Sequence, residues 1–247
     1  MNCKNCGTPV QGNYCSHCGQ KTSVGKITAS SLMKELSTSL FQVNNGFFYT
    51  LINLFKQPGS SIRAYLDGQR KRHFKPITYV LTLSTLYFLV STLSGQNTWM
   101  DDLVTGFATG AYDAGNPADI PPILIWFAQN FAYTTLSLLP IFSLASYLAF
   151  MRFQTSYLEH FVLNAYVTGQ QAIFYTLLAL VKQWVDLGIL ELLTLIITSG
   201  YAFWVFWQFF DQGSRWSNIL RSLWTYVLYL LFSLMALLLL MGLATLF

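Results

Sequence analysis

Charge is what this 247-residue sequence has least of. Asp, Glu, Lys and Arg together make up 10% of it, against about 25% in a soluble globular domain. Hydrophobic residues make up 53%. That deficit, with long apolar runs, excludes an ordinary soluble domain and places the chain among membrane proteins. Cysteine is absent after position 18, so no disulfide staples the body. The first strongly apolar run begins near Ile77, too late for a signal peptide, so the first membrane helix is expected to act as its own insertion signal. Enzyme signatures are missing too. The three histidines, His17, His73 and His160, form no His-Glu-x-x-His, and there is no Gly-x-Ser-x-Gly or glycine-rich phosphate loop. Glu159 and His160 are neighbours, but adjacent helical residues diverge by about 100°, and they read as a solvated pair where an inner loop meets a span. A non-enzymatic protein is the expectation.

What the chain does have begins at its start. Cys3-x-x-Cys6 is followed, eight residues on, by Cys15-x-x-Cys18, and Gly7 and Gly19 follow the two pairs. Each Cys-x-x-Cys places two sulfurs on one tight turn, and a glycine after it permits a left-handed backbone at little cost. Two such turns facing each other offer four thiolates to one tetrahedral Zn²⁺ through Cys3, Cys6, Cys15 and Cys18. Disulfides and a redox dithiol are the competing readings; no strand-then-helix pattern surrounds these cysteines to favour the latter. Residues 1–21 are too few to fold around an apolar core, so the metal would be the core. Four protein ligands leave no open position, which makes the site structural. His17 reads as an exposed spacer. Four closely spaced free thiols belong in a reducing compartment, which puts this end in the cytoplasm.

Five apolar stretches are long enough to span about 30 Å of hydrocarbon, near 76–95, 126–150, 161–182, 188–210 and 219–246. With the start of the chain inside, 13 of the 14 Lys and Arg fall on the inner side and only Lys182 falls outside. The stretch 96–122 reads as a loop and holds Asp101, Asp102, Asp113 and Asp119 and no basic residue. This asymmetry predicts an inner (cytoplasmic) membrane protein, N-terminus in and C-terminus out.

Residues 22–75 form neither a linker nor a span. The stretch 28–41 puts Leu32, Leu36 and Leu40 on one helical face, beside Met33 and Phe41, with Ser30 or Ser31 as cap. Asn45-Gly46 interrupts it, and "FFYTLINLF" then gives a helix too short to span. After a turn at Gln57-Pro58-Gly59, "SSIRAYLDG" reads as a short helix ending at Gly68. Arg70, Lys71, Arg72 and Lys75 follow directly before the first span. Two readings stay open: short amphipathic helices in the headgroup plane, their cations on anionic lipid, or helices packed on the inner ends of the spans. No nucleic-acid partner is expected, since adjacency to a span accounts for the charge.

The Cys-x-x-Cys-Gly pair, then "GFFYTLINLFKQPG" and "IRAYLDGQRKRHFKPITYVL", resemble a bacterial family of membrane proteins known only as a domain of unknown function. The resembling positions are Gly46, Phe47, Tyr49, Thr50, Leu54, Pro58, Gly59, Tyr65, Leu66, Gly68, Arg70, Phe74 and Pro76, in the first third of the chain. Gln57 stands where the family has a basic residue. The resemblance implies a membrane location and a zinc-binding start, and no reaction.

Polar residues at membrane depth are costly and so informative. Asn164, Thr168, Gln171, Tyr175 and Lys182 fall on one stripe of the third span, and Glu191, Thr194, Thr198 and Tyr201 on one of the fourth. Asn130, Thr134 and Ser137, followed by Pro140, mark the second. These stripes read either as interhelical hydrogen-bonding glue or as a polar seam for a small solute. The sequence therefore predicts an all-α membrane protein with five transmembrane helices, short amphipathic helices and an N-terminal zinc-ribbon-like knot. Its expected role is an adaptor or assembly factor meeting an unidentified protein partner, the alternative being a transporter-like subunit.

Overall fold

The computed structural model of the protein describes residues 1–38, 45–113, 121–185 and 188–244. Among them the only β features are two isolated bridges near the start. Ten α-helices follow: α1 (Ala29–Thr38), α2 (Asn45–Lys56), α3 (Pro58–Leu66), α4 (Pro76–Leu93), α5 (Trp99–Asp113), α6 (Pro122–Gln129), α7 (Phe131–Ala149), α8 (Tyr157–Lys182), α9 (Ile189–Phe209) and α10 (Arg215–Ala244).

Four of these, α4, α7, α9 and α10, are long and apolar enough to cross a membrane. Five were expected, and the one that drops out is α8, the expected third span. Length is not the reason: its 26 residues rise about 39 Å at 1.5 Å per residue. Composition is. Glu159, His160, Asn164, Gln170, Gln171 and Lys182 dilute it. The helix tolerates them because α4, α7 and α9 pack around it, and Val162 to Val167 are fully buried. A helix shielded by its neighbours needs no lipophilic surface of its own. α10 is its opposite. It packs on α7 and α9 and turns Leu223, Val227, Leu230, Leu231, Leu234 and Leu238 outward, an apolar face that water would not tolerate at this extent.

The boundaries differ from the sequence expectation at four places, one of them the start of α10, at Arg215 and not 219. The second apolar stretch, 126–150, is two helices: Asn130, at φ −113° and ψ 46°, separates α6 from α7 and returns its side-chain amide to the Trp126 carbonyl. α8 begins four residues earlier than expected, because Ser156 and Glu159 form a reciprocal capping box. The stretch 96–122, expected to be a loop, contains α5. Its start carries the same device: Asp101 accepts from the Thr98 amide (2.8 Å) and hydroxyl (2.7 Å), while Met100 and Val104 are buried one turn apart. The last residues of the expected fifth span, 245 and 246, and Asp119 lie outside the described residues.

The segment before α4 also resolves. α3 packs on α9, and α2 packs on α3 and α8. Gly59 permits this: a Cβ there would stand 2.5 Å from the Gln208 carbonyl carbon and 2.6 Å from the Phe209 nitrogen. The Tyr201 hydroxyl donates to Leu54 O (3.1 Å), and Arg63 binds both Phe209 O (3.0 Å) and Asp211 (2.7 Å). Packing on the bundle is thus what α2 and α3 do. Yet α2 also exposes Phe48, Ile52 and Phe55 along one stripe, so its other face stays apolar. In α1, Leu32 is buried and Met33 exposed; the Leu36 side chain, Leu40 and Phe41 lie outside the described residues.

Candidate metal centre and the loop it holds

Two copies of one small motif build the N-terminal module. In the first, the Cys3 amide donates to Thr8 O and the Gly7 amide to Cys3 O; in the second, Cys15 donates to Gln20 O and Gly19 to Cys15 O, all at 2.8–2.9 Å. The bridges Asn2–Pro9 and Tyr14–Lys21 close each copy. Gly7 and Gly19 sit at φ +76° and +69°, the left-handed conformation that the sequence pattern called for.

All four cysteines are free thiols, and their sulfurs lie within 4.8 Å of one another. Cys3 Sγ is 3.6 Å from Cys18 Sγ, and Cys6 Sγ is 3.6 Å from Cys15 Sγ. Four sulfurs at about 2.3 Å from a tetrahedral ion would stand about 3.8 Å apart, close to the two 3.6 Å pairs, so the donor set suits a metal ion. The Thr8 hydroxyl and amide beside Cys6 hold its thiol down to about 5, toward the thiolate that a metal requires, whereas desolvation pushes Cys18 up to about 11. His17 is exposed and outside the cluster.

The module does not hang free. Gln20, 5% exposed, lies directly after the second knuckle and clamps the turn that precedes α4. Its Nε2 donates to Gly68 O (2.8 Å), and its Oε1 accepts from the Arg70 amide (3.1 Å) and the Lys71 amide (3.0 Å). Asn5, inside the first knuckle and equally buried, accepts from the Arg72 amide (3.2 Å). Gly68, at φ +116°, admits the Lys4 side chain where a Cβ would meet Lys4 Cδ at 2.7 Å. These side chains were not singled out from sequence, because their partners lie about fifty or more residues away. The basic residues are placed as expected in part. Lys71, Arg72 and Lys75 are exposed, but Arg70 is half-buried, its guanidinium donating to Gly25 O (2.7 Å) over the Tyr65 ring.

The loop is anchored from the bundle side as well. Thr50 Oγ1 accepts from the Phe74 amide (2.7 Å) and the Tyr166 hydroxyl donates to Phe74 O (2.6 Å). His73 is buried, with Nδ1 2.6 Å from Gln69 O and Nε2 3.1 Å from Ser61 Oγ. The carbonyl accepts, so Nδ1 carries the proton and Nε2 accepts from the serine. Burial pushes this histidine below its ordinary value, with Arg72 adding to the effect.

Deeper in the bundle, the expected three-stripe seam is two separate contacts. Gln171 Nε2 donates to Thr198 O (3.0 Å), and the Tyr175 hydroxyl lies 3.5 Å from Thr198 Oγ1, which joins α8 to α9. Thr134 and Ser137 bond backbone carbonyls of their own segment instead, and so take no part. The α7–α8 contact uses Asn164 of the α8 stripe together with Ser146, Thr155 and His160, which the stripes omitted. His160 is not solvated: it is 1% exposed, 2.9 Å from Ser146 Oγ and 2.8 Å from Thr155 Oγ1. Asn164 donates to that same serine (2.7 Å). Glu159 is taken up by the cap. α4 meets α8 through the Tyr79 hydroxyl, which donates to Gln170 Oε1 (2.5 Å), over Gly169, where a Cβ would collide with the Tyr79 ring at 2.6 Å. Lys182 and Glu191, expected near the outer boundary, form an ion pair at 2.8 Å.

A bundle of apolar helices compatible with a bilayer, fastened at one end to a four-cysteine module, defines the class. Residues 44–88, from the start of α2 into α4, match the model of a family described as "Protein of unknown function (DUF3667)". The matched segment contains Gly59, which seats α3 on α9, and Thr50, Gly68 and Phe74, which join the bundle to the module. No curated protein and no solved structure matches the chain.

Proposed function

We propose that this is a non-enzymatic multi-pass protein of the bacterial cytoplasmic membrane, an adaptor or assembly factor whose structural zinc module is held rigidly at the inner face. Five helices cross the bilayer, α4, α7, α8, α9 and α10, with residues 1–75 inside and the end of α10 outside. α8 is the fifth span: it runs inside the bundle, where its polar residues are bonded to α4, α7 and α9. Arg70, Lys71, Arg72 and Lys75 sit at the level of anionic headgroups. The observation that supports this reading most is the clamp of Gln20 and Asn5 on residues 68–72. A tether would leave the module mobile; a clamp fixes which of its faces points away from the membrane domain. On the module Asn13, Tyr14, Ser16 and His17 are all exposed, with Tyr14 at 64%. An exposed aromatic ringed by small polar groups is the composition of a protein contact.

The chemistry asked of the metal is structural. Cys3, Cys6, Cys15 and Cys18 would hold it, replacing the apolar core that so short a segment lacks. Metal analysis of the purified protein is expected to give about one zinc per chain, as one four-thiolate site holds one ion. Cys15→Ser with Cys18→Ser should abolish it; retention of zinc in that variant sinks the assignment. Affinity purification from native membranes in mild detergent then tests the adaptor role. A partner that copurifies with the wild type and is lost in Tyr14→Ala/His17→Ala supports it. An identical set of proteins in both refutes the role of that face.

One observation favours the transporter alternative. Ser84 Oγ on α4 and Gln170 Nε2 on α8 are buried with no protein partner, and such groups are commonly satisfied by water. A full-length Ser84→Ala variant that is stable but fails to complement a deletion strain would favour it over the adaptor.

A further inference from the structure

The two segments that meet at the clamp, residues 1–26 and 68–75, contain no Asp or Glu at all, but seven cations: Lys4, Lys21, Lys26, Arg70, Lys71, Arg72 and Lys75. They are distant in sequence and become one surface only because Gln20 and Asn5 take up the amides of Arg70, Lys71 and Arg72. Three backbone donors of the loop are thereby fixed, and the Lys71 side chain is laid along the module, with Cε 4.0 Å from where a Cβ on Gly19 would sit. Lys4, Lys21, Lys71, Arg72 and Lys75 are all exposed. Lys75 is followed at once by Pro76, the first residue of α4, so the chain itself ties this surface to the end of a membrane-crossing helix.

We propose that the metal module and the 69–72 loop together form a single binding surface for anionic phospholipid headgroups, which exists only while the module is folded on its metal. The inference rests on the membrane placement and metal site proposed above, and adds two claims: that the module contributes cations of its own, Lys4 and Lys21, and that it organises those of the loop. A divalent ion with four thiolates carries net negative charge, so the metal strengthens this surface by ordering the backbone, not by adding positive charge. Anionic lipid is the occupant because Lys75 directly precedes a membrane-crossing helix and Arg70, Lys71 and Arg72 lie within six residues of it, where each Lys or Arg near an anionic leaflet gains on the order of 1 kcal/mol, or about fivefold in affinity. Lys71 and Arg72 serve this surface through their side chains, while their amides are already committed to the clamp.

The test uses the full-length, metal-loaded protein in neutral detergent micelles. Binding of fluorescent phosphatidylglycerol is followed by anisotropy, with phosphatidylcholine as the neutral lipid and inorganic phosphate as competitor. Phosphatidylglycerol should be preferred over phosphatidylcholine. Lys21→Gln should weaken it about fivefold, and Lys71→Gln with Arg72→Gln by an order of magnitude or more, on the same per-charge scale. The informative variant is Gln20→Ala, which keeps all four cysteines and every cation. It should retain its zinc by elemental analysis and yet bind phosphatidylglycerol several-fold more weakly, with faster amide hydrogen exchange at residues 69–72. Removing the metal with a chelator should have the same effect. Equal binding of the two lipids overturns the surface while leaving the metal site standing. Unchanged binding in Gln20→Ala, or after zinc is removed, overturns the organising role. Displacement of the lipid by inorganic phosphate at comparable concentration shows a free-anion site and overturns the assignment to headgroups. Failure to find zinc in the wild type overturns the underlying metal reading, a result distinct from all of these.

Discussion

Gly59→Ala puts the packing of α3 on α9 under direct strain. The added methyl would stand 2.5 Å from the carbonyl carbon and Cβ of Gln208 and 2.6 Å from the Phe209 nitrogen. Most of what it meets is backbone of a helix long and apolar enough to span, which cannot rotate away as a side chain can. α3 must therefore lift. Overpacking of this kind costs about 1–3 kcal/mol. Lifting also stretches the Gly59 amide to Gln208 Oε1 bond (3.2 Å) and the Arg63 to Phe209 O bond (3.0 Å), each worth about 0.5–1.5 kcal/mol. The salt bridge to Asp211 adds little, since the Asp211 carboxylate is well exposed and Arg63 only partly buried. A total of about 2–6 kcal/mol is the expectation if the strain and the two lost bonds add. Gly106→Ala on α5 is the control. Nothing lies within 4 Å of its added methyl, and an open helical site should gain up to about 1 kcal/mol from helix propensity. The assay is the denaturant midpoint of the detergent-solubilised protein, read by tryptophan fluorescence for both variants and the wild type. If Gly59→Ala unfolds at the wild-type midpoint, α3 does not pack on α9 in this way, and the segment before α4 lies free on the membrane.

Three further outcomes follow from particular contacts. If α8 crosses the bilayer, single cysteines at Gln154 and Gln183, both exposed, should label from opposite sides of intact cells; labelling from one side only returns the count to four. Gln171→Leu removes the bond to Thr198 O and should cost about 0.6 kcal/mol, the average for interhelical bonds in a bilayer, so a loss of several kcal/mol in the same denaturation assay would contradict the reading of this contact as glue. His73 is held neutral by burial, below its ordinary value of 6.5, so the unfolded chain binds more protons as pH falls. Its contribution is present above about pH 6.5, and is lost as pH drops through the folded-state value. His73→Gln should flatten that acid limb; an unchanged limb assigns it to other groups.

The sequence by itself determined what is local in origin. Tandem Cys-x-x-Cys-Gly repeats dictate two left-handed turns and four converging thiols, because every atom involved lies within a few bonds of the next. Apolar runs of about 20 residues dictate long helices, for length and hydropathy are properties of a single segment. α4 and α9 fall within about two residues of the stretches read from sequence. Caps were legible in principle: Thr98-x-x-Asp101 marks the start of α5, yet the acidic residues around it read as loop. Tertiary structure alone decided the rest. Nothing in the spacing of Gln20 or Asn5 points to residues 68–72, since a lone amide side chain has no partner until the chain brings one to it. His160 was read as a solvated boundary residue beside Glu159, and is buried because α7 returns Ser146 to it and Phe210 stacks on its ring. α8 is less apolar than its neighbours because its polar residues meet other helices, and how much apolar surface a helix must present is set by the helices around it. The short helices before α4 likewise showed two readings in sequence. The fold chose packing for one face of α2 and left Phe48, Ile52 and Phe55 outward on the other, since a twelve-residue helix has room for both and only its neighbours determine which face they cover.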